Sequence, residues 1–204
     1  MWSRLALLLP FFAVASCKNT FSGRLQVTQS FPLTHEVKET WGDQETYKKQ
    51  KSIIMAGSYE AQLRFYGKTQ VDLVINPKSW RAQTYRLELP RSIDWSAPQG
   101  EFAFSAKELG QSFALSGRWI REVNESSVVK EWESCEYQDW EWVCDHTGCA
   151  QRWVWKRGWH WVEYFWRTTR VDLAAGIKQS AEVARFQGQE SWREKVIISQ
   201  TQCF

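Results

Sequence analysis

After residue 17 the sequence has no stretch approaching eighteen consecutive apolar residues, so no helical membrane span is expected there. It also lacks any strong charge bias. Lys and Arg number 26 against 23 Asp and Glu, for a formal charge of +3, and the two signs interleave. So mild and mixed a balance argues against a nucleic-acid partner. Histidine is scarce: His35, His146 and His160 are the only three, and none has an evident nucleophile beside it. No G-x-S-x-G elbow and no Cys-x-x-Cys pair occurs, which removes the commonest serine-hydrolase and dithiol signatures. Cys144, Asp145, His146 and Cys149 are all metal-ligating types. A zinc knuckle, however, sets its cysteines two to four apart and needs a second pair, and these two are five apart without one. No metal, cofactor or catalytic residue is therefore assigned. Long amphipathic helices and repeats of 20 to 50 residues are likewise missing, which excludes parallel β-α-β architectures and solenoids.

What remains is a chain of 204 residues, 43 % hydrophobic and 15 % aromatic, a globular composition long enough to bury a core. Alternation of period two dominates. Tyr59, Ala61, Leu63 and Phe65 oppose Glu60, Gln62, Arg64 and Tyr66, and Val71, Leu73 and Ile75 follow after Gly67-Lys68 as the return of a hairpin. Weaker alternation over 21–31 suggests a strand that Pro32 ends. Residues 33–52 are polar and are expected to be a loop, or a short helix over 43–51. Ala106 to Gly110 suits one helical turn or a wide connection, and Ala174-Ala175-Gly176 is expected to break a strand. Ten to twelve short strands separated by Gly, Pro or Asn predict an all-β fold, an antiparallel β-sandwich or barrel with disulfides, as a single domain over 33–204.

The first seventeen residues read MWSRLALLLPFFAVASC. Arg4 precedes an apolar run, Leu5 to Val14, of signal-peptide length. Two cleavage sites compete. Ala13-Val14-Ala15 is an A-x-A site, whereas Val14-Ala15-Ser16-Cys17 places a small pair before a cysteine. The second pattern resembles the lipobox of bacterial lipoproteins, with Val14 where Leu is more usual. That resemblance covers residues 1–17 alone. It implies a signal peptide over 1–16, an acyl-bearing (palmitate-type) Cys17 as membrane anchor, and a tether with a possible first strand over 17–32. Lys18, in place of the Asp that retains such proteins in the inner membrane, implies an outer-membrane lipoprotein of the cell envelope, on its periplasmic or surface face. Lipidation of Cys17 also leaves an even number of cysteines, which suits an oxidising compartment.

Residues 135–166 concentrate three of the five cysteines and seven of the fourteen tryptophans. With Cys144 opposite Cys149, Trp142 faces Gln151, Trp140 faces Trp153, and Gln138 faces Trp155, all on the face that carries the two sulfurs. This register favours the pairs Cys144–Cys149 and Cys135–Cys203. The alternative, Cys135–Cys149 with Cys144–Cys203, stays open if the first two Cβ atoms are not adjacent. Arg157-Gly158 is expected to turn the chain into a third strand, from Trp159 to Trp166. Of the eight indoles over 132–166, core packing is expected to absorb half, with Arg152, Lys156, Arg157 and Arg167 stacking on exposed rings. Trp153, Trp155, Trp159 and Trp161 are the candidate ligand-binding residues, for an envelope glycan or a protein partner. The expected function is accordingly a non-catalytic, lipid-anchored binding protein. Two alternatives are a hydrolase of an envelope polymer, using acids among Glu131, Glu133, Glu136, Asp139, Glu141 and Glu163, and a lipocalin-like binder of a hydrophobic ligand.

Overall fold

The computed structural model describes residues 19–204 except 42, 43, 68 and 147. Its elements are β1 (Asn19–Val27), β2 (Phe31–Trp41), β3 (Gln44–Ile54), β4 (Gly57–Tyr66), β5 (Gln70–Ile75), β6 (Gln83–Glu88), β7 (Gln99–Phe104), α1 (Ala106–Leu109), β8 (Ala114–Glu125), β9 (Val129–Asp145), β10 (Gly148–Lys178) and β11 (Glu182–Gln200). The strands form one eleven-stranded antiparallel sheet in the order β3-β2-β6-β5-β4-β1-β11-β10-β8-β7, with β9 paired to β10 off this path. The expected sandwich or barrel is therefore wrong. No second sheet is present among the described residues, and the terminal strands β3 and β7 do not pair with each other, so the sheet is open. Strand length is the reason. β10 runs 31 residues straight through both Gly158 and Ala174-Ala175-Gly176, and β11 runs 19, where short segments for two layers were expected.

Two compact units divide the chain. One comprises Met1–Ile120 with Asp172–Glu190, the other Arg121–Val171 with Ser191–Phe204. In the first, β1 alternates as its sequence dictates: Phe21, Leu25 and Val27 are buried while Ser22, Arg24 and Gln26 point the other way, toward solvent. Leu25 lies opposite Tyr59 of β4 on one side and Phe186 of β11 on the other, so apolar rows continue from strand to strand. Trp95, from the 91–98 loop, packs on Phe21, Phe65 and Trp119 with ring centroids 4.9–5.2 Å apart. Such contacts add to the burial of large apolar rings. Across β5 and β6, buried Asp72 accepts two hydrogen bonds from Arg86 (2.8 and 3.0 Å), which keeps the guanidinium protonated. A void of about 40 Å³ remains within this core, lined by apolar side chains such as Leu25, Leu73 and Phe186. Drug-sized ligands need roughly 300 Å³ or more.

Residues 33–41 and 44–52 are not loop or helix, and the part of that expectation on 42 and 43 lies outside the described residues. These two segments make most of the β2–β3 hairpin, registered from Phe31↔Ile54 to Trp41↔Gln44. Nor does Pro32 end a strand, since it is the second residue of β2. Among the described residues β6 meets β2 only at Glu36↔Arg86, so the ladder does not need an N–H from Pro32 on that side. Thr34, on the same edge, is satisfied differently: the Gln111 carboxamide accepts from its N–H (3.0 Å) and donates to its carbonyl (2.6 Å). Gln111 is placed there by the single turn of α1, which Ser105 and Glu108 close at its start as a capping box and Gly110 (φ 62°) at its end.

Candidate binding surface

The second unit is built on the β9–β10 hairpin, registered without interruption from Gly148↔Asp145 to Tyr164↔Val129. Cys144 and Cys149 are directly opposed and disulfide-bonded, and Cys135 bonds Cys203. The register and both pairings agree with the sequence reading. The turn expected at Arg157-Gly158 does not occur. Gly158 lies inside β10, where a Cβ would meet the Phe204 carbonyl at 2.3 Å. The terminal segment runs alongside β10 at this point: Trp159 donates to the Phe204 carbonyl (2.9 Å), and Thr201 donates to that of Trp161 (2.9 Å). Glycine marks a close approach of backbones here and not a turn.

Because alternate residues share a face, the register places Trp132, Trp140, Trp142, Trp153, Trp155, Trp159 and Trp161 together on one side. Trp166 has the opposite parity, and Arg193 stacks over it at 4.3 Å. The indole face holds two cross-strand pairs, Trp140–Trp153 (4.9 Å) and Trp132–Trp161 (5.4 Å), both edge-on. Trp132, Trp140, Trp142, Trp153, Trp155 and Trp159 are 47–69 % exposed, so core packing absorbs far less than half. From Trp142 to Trp132 the stripe spans ten residues of β9, about 33 Å. The candidates Trp153, Trp155, Trp159 and Trp161 are indeed brought together. Trp132, Trp140 and Trp142 belong with them: strand parity around the Cys144–Cys149 register was the signal for Trp140, Trp142, Trp153 and Trp155, and the turn expected at Arg157-Gly158 hid that Trp132, Trp159 and Trp161 continue the same face.

The other face of the hairpin carries ion pairs and no tryptophan between positions 129 and 164. Lys156 contacts both Asp139 (2.7 Å) and Glu141, Arg152 contacts Asp145 (3.3 Å), and Lys195 contacts Glu133. Arg152 and Lys156 have the wrong parity to stack on Trp153 or Trp155, so the expected cation–π ladder gives way to these pairs. Arg167 instead lies over Phe165 (5.5 Å) and reaches Glu125 (3.0 Å). Lys156 and a backbone N–H from Trp140 hold the Asp139 carboxyl below its ordinary value, and Lys130 does the same for Glu163. Glu131 accepts from the Tyr164 hydroxyl (2.5 Å), raising the phenol's pKa, and Glu136 sits 3.6 Å from Arg157. Every acid considered for hydrolysis therefore faces a cation or a hydroxyl. His35 is packed, with Nε2 2.9 Å from the Ser52 hydroxyl and its ring against Tyr85, while His160 approaches the Thr201 carbonyl (3.4 Å). Among the described residues no group of His, Cys, Asp and Glu is arranged to hold a metal ion, and no helix is long and apolar enough to cross a membrane.

Comparison with protein-family models, curated proteins and solved structures finds no match. A cleft of about 830 Å³ lies in the first unit on the outer side of β1 and β11, and its lining mixes polar residues such as Arg24, Gln62, Arg118 and Gln187 with apolar ones such as Ile120 and Leu173. Gly23 pairs with Gly188 beneath it, where a Cβ on Gly23 would meet the Gln187 carbonyl at 1.9 Å. The cleft is open and mixed in charge. The indole stripe is the stronger candidate, because a large contiguous run of aromatic surface left in water calls for a reason whereas an open hollow of mixed lining does not.

Proposed function

We propose that the chain is a lipid-anchored envelope protein, non-catalytic, that holds a glycan or protein partner on the indole face of β9–β10. The observation that carries this reading is the asymmetry of the hairpin. One face carries no tryptophan between positions 129 and 164 and holds the Lys156–Asp139, Lys156–Glu141 and Arg152–Asp145 ion pairs, and the other leaves six tryptophans mostly uncovered along about 33 Å. Six indoles exposed by roughly 60 % of about 250 Å² each amount to about 900 Å² of surface. The largest apolar patch on a typical monomer is roughly 300–600 Å². Gln138, Gln151 and Ser134 lie on the same face, so hydrogen-bonding groups alternate with rings, as either a sugar or a peptide surface would use. The anchor is supported by the motif Val14-Ala15-Ser16-Cys17, which lies outside the described residues.

A photo-cross-linking amino acid placed at Trp155, in cells producing the full chain, tests the face. Val154 points to the opposite side and serves as control. Adducts are expected from position 155 at least tenfold above those from 154. Equal yields from the two positions, or none from 155, would reject the indole face as the contact surface.

A further inference from the structure

We infer that the occupant of the indole face is a second copy of this chain, packed face to face about a two-fold axis that runs along the hairpin. This rests on the preceding reading of the face as a contact surface and adds the identity of the partner. Such an axis lays β9 of one copy over β10 of the other, so each cross-strand pair meets the same pair reversed. Near the middle of the stripe the pair is Glu136 with Arg157, both well exposed. Reversal sets Glu136 over Arg157 of the second copy, and Arg157 over its Glu136.

Volumes match in the same way. On either side of that centre the pairs are Gln138↔Trp155 and Ser134↔Trp159, a smaller polar residue on β9 facing an indole on β10. In the reversed copy each indole lies over the smaller residue, so knobs meet hollows. One step further out on each side are the two Trp–Trp pairs, at similar centroid separations of 4.9 and 5.4 Å. Beyond Trp132↔Trp161 lies the ion pair Lys130–Glu163 (2.5 Å), and reversal again sets opposite charges over one another. Of the charged residues on this face between positions 130 and 163, two are cations, Lys130 and Arg157, and two are anions, Glu136 and Glu163. The face therefore carries no net charge to repel a copy of itself.

Area favours the same occupant. With about 900 Å² of indole surface on each copy, the pairing removes up to about 1,800 Å², within the roughly 1,200 to 2,000 Å² of stable protein interfaces. Sheets packed face to face keep their strands within about 30° of each other, which the axis along the hairpin satisfies.

The photo-cross-linker at Trp155 of the full chain reads the partner directly. The expected adduct has twice the mass of the chain and joins position 155 to the segment of a second copy that contains Gln138. Adducts with other components only would overturn the second copy while leaving the face as the contact surface. Absence of any adduct would overturn both. The register has its own test by sedimentation equilibrium on the exported chain carrying Cys17→Ser. Wild-type residues at 136 and 157 are expected to give a dimer. Arg157→Glu alone and Glu136→Arg alone are each expected to weaken it at least tenfold, because like charges then face each other. An equimolar mixture of the two single variants is expected to dimerise again. The centre of one variant is then acidic at both positions and that of the other basic at both, so opposite charges meet at each contact between unlike copies. Repulsion inside each hairpin persists in that mixture, so recovery reports the interface and not the stability of the hairpin. A monomeric wild type, or a mixture no tighter than its components, would overturn the proposal.

Discussion

Glu190 is the residue whose ionisation works against the fold. Burial raises its pKa above the ordinary 4.5, opposed by the Thr20 N–H that donates to Oε1 at 3.0 Å. Its Oε2 is buried without a hydrogen-bond partner. The folded state therefore holds this proton to higher pH than the unfolded chain does. Between the two pKa values the folded state binds more protons, so stability falls as pH rises through that window and stays lower above it. Glu190→Gln keeps an oxygen for Thr20 and removes the charge. Thermal unfolding at neutral pH is expected at higher temperature than for wild type, with a flatter dependence on pH above 4.5. No gain at neutral pH would show that the carboxylate is compensated. Nothing in the local sequence marks Glu190 as unusual, since its parity with buried Phe186 acquires meaning only from the β1–β11 register.

At the level of the hairpin, the two disulfides differ in what they constrain. Cys144–Cys149 closes five residues across a turn, where Gly148 takes a positive φ of 131°, and Cys135–Cys203 spans 68. Chain entropy alone assigns roughly 2 kcal/mol to the short loop and roughly 4 kcal/mol to the long one. Replacing Cys135 and Cys203 by Ser is thus expected to cost about twice as much in urea unfolding as replacing Cys144 and Cys149. Equal losses would mean that strain or residual structure outweighs loop length. The free edge of β9 is also managed locally. Among the described residues β9 pairs only with β10, and Glu131, Glu133, Glu136, Asp139 and Glu141 line it with charge, which discourages another strand from adding there. This hairpin was the most legible part of the sequence, because one opposed cysteine pair sets every partner along both strands. Gly158 was misread because a glycine required by the passing Phe204 backbone looks, in one dimension, like a glycine required by a turn.

On the scale of the whole molecule, the strand order decides which local signals belong together. Sequence neighbours β4, β5 and β6 pair in succession, as alternating runs with tight connections suggest. β1 pairs with β4 and, through residues 22–27 against 184–189, with β11, and no local pattern announces that. The proposed anchor is also tested on the whole chain. Labelled palmitate is expected in the full chain and not in Cys17→Ser, which is expected to leave the membrane fraction. Unchanged labelling in the variant would end the lipoprotein reading.

The sequence by itself pointed to the all-β class, the register of the β9–β10 hairpin around Cys144 and Cys149, the favoured disulfide pairing and the common face of Trp140, Trp142, Trp153 and Trp155. Each of these follows from period-two alternation and from sulfur geometry, which act over a few residues or between opposed positions. Only the tertiary structure decided that the strands form one open sheet, that β10 passes Gly158 unbroken, and that the indoles stay uncovered. Those outcomes depend on which distant segment lies alongside: the 201–204 backbone beside β10, the Gln111 amide on the edge of β2, Lys195 against Glu133. Exposure is what remains after every such neighbour has been placed, and the neighbours are remote in sequence.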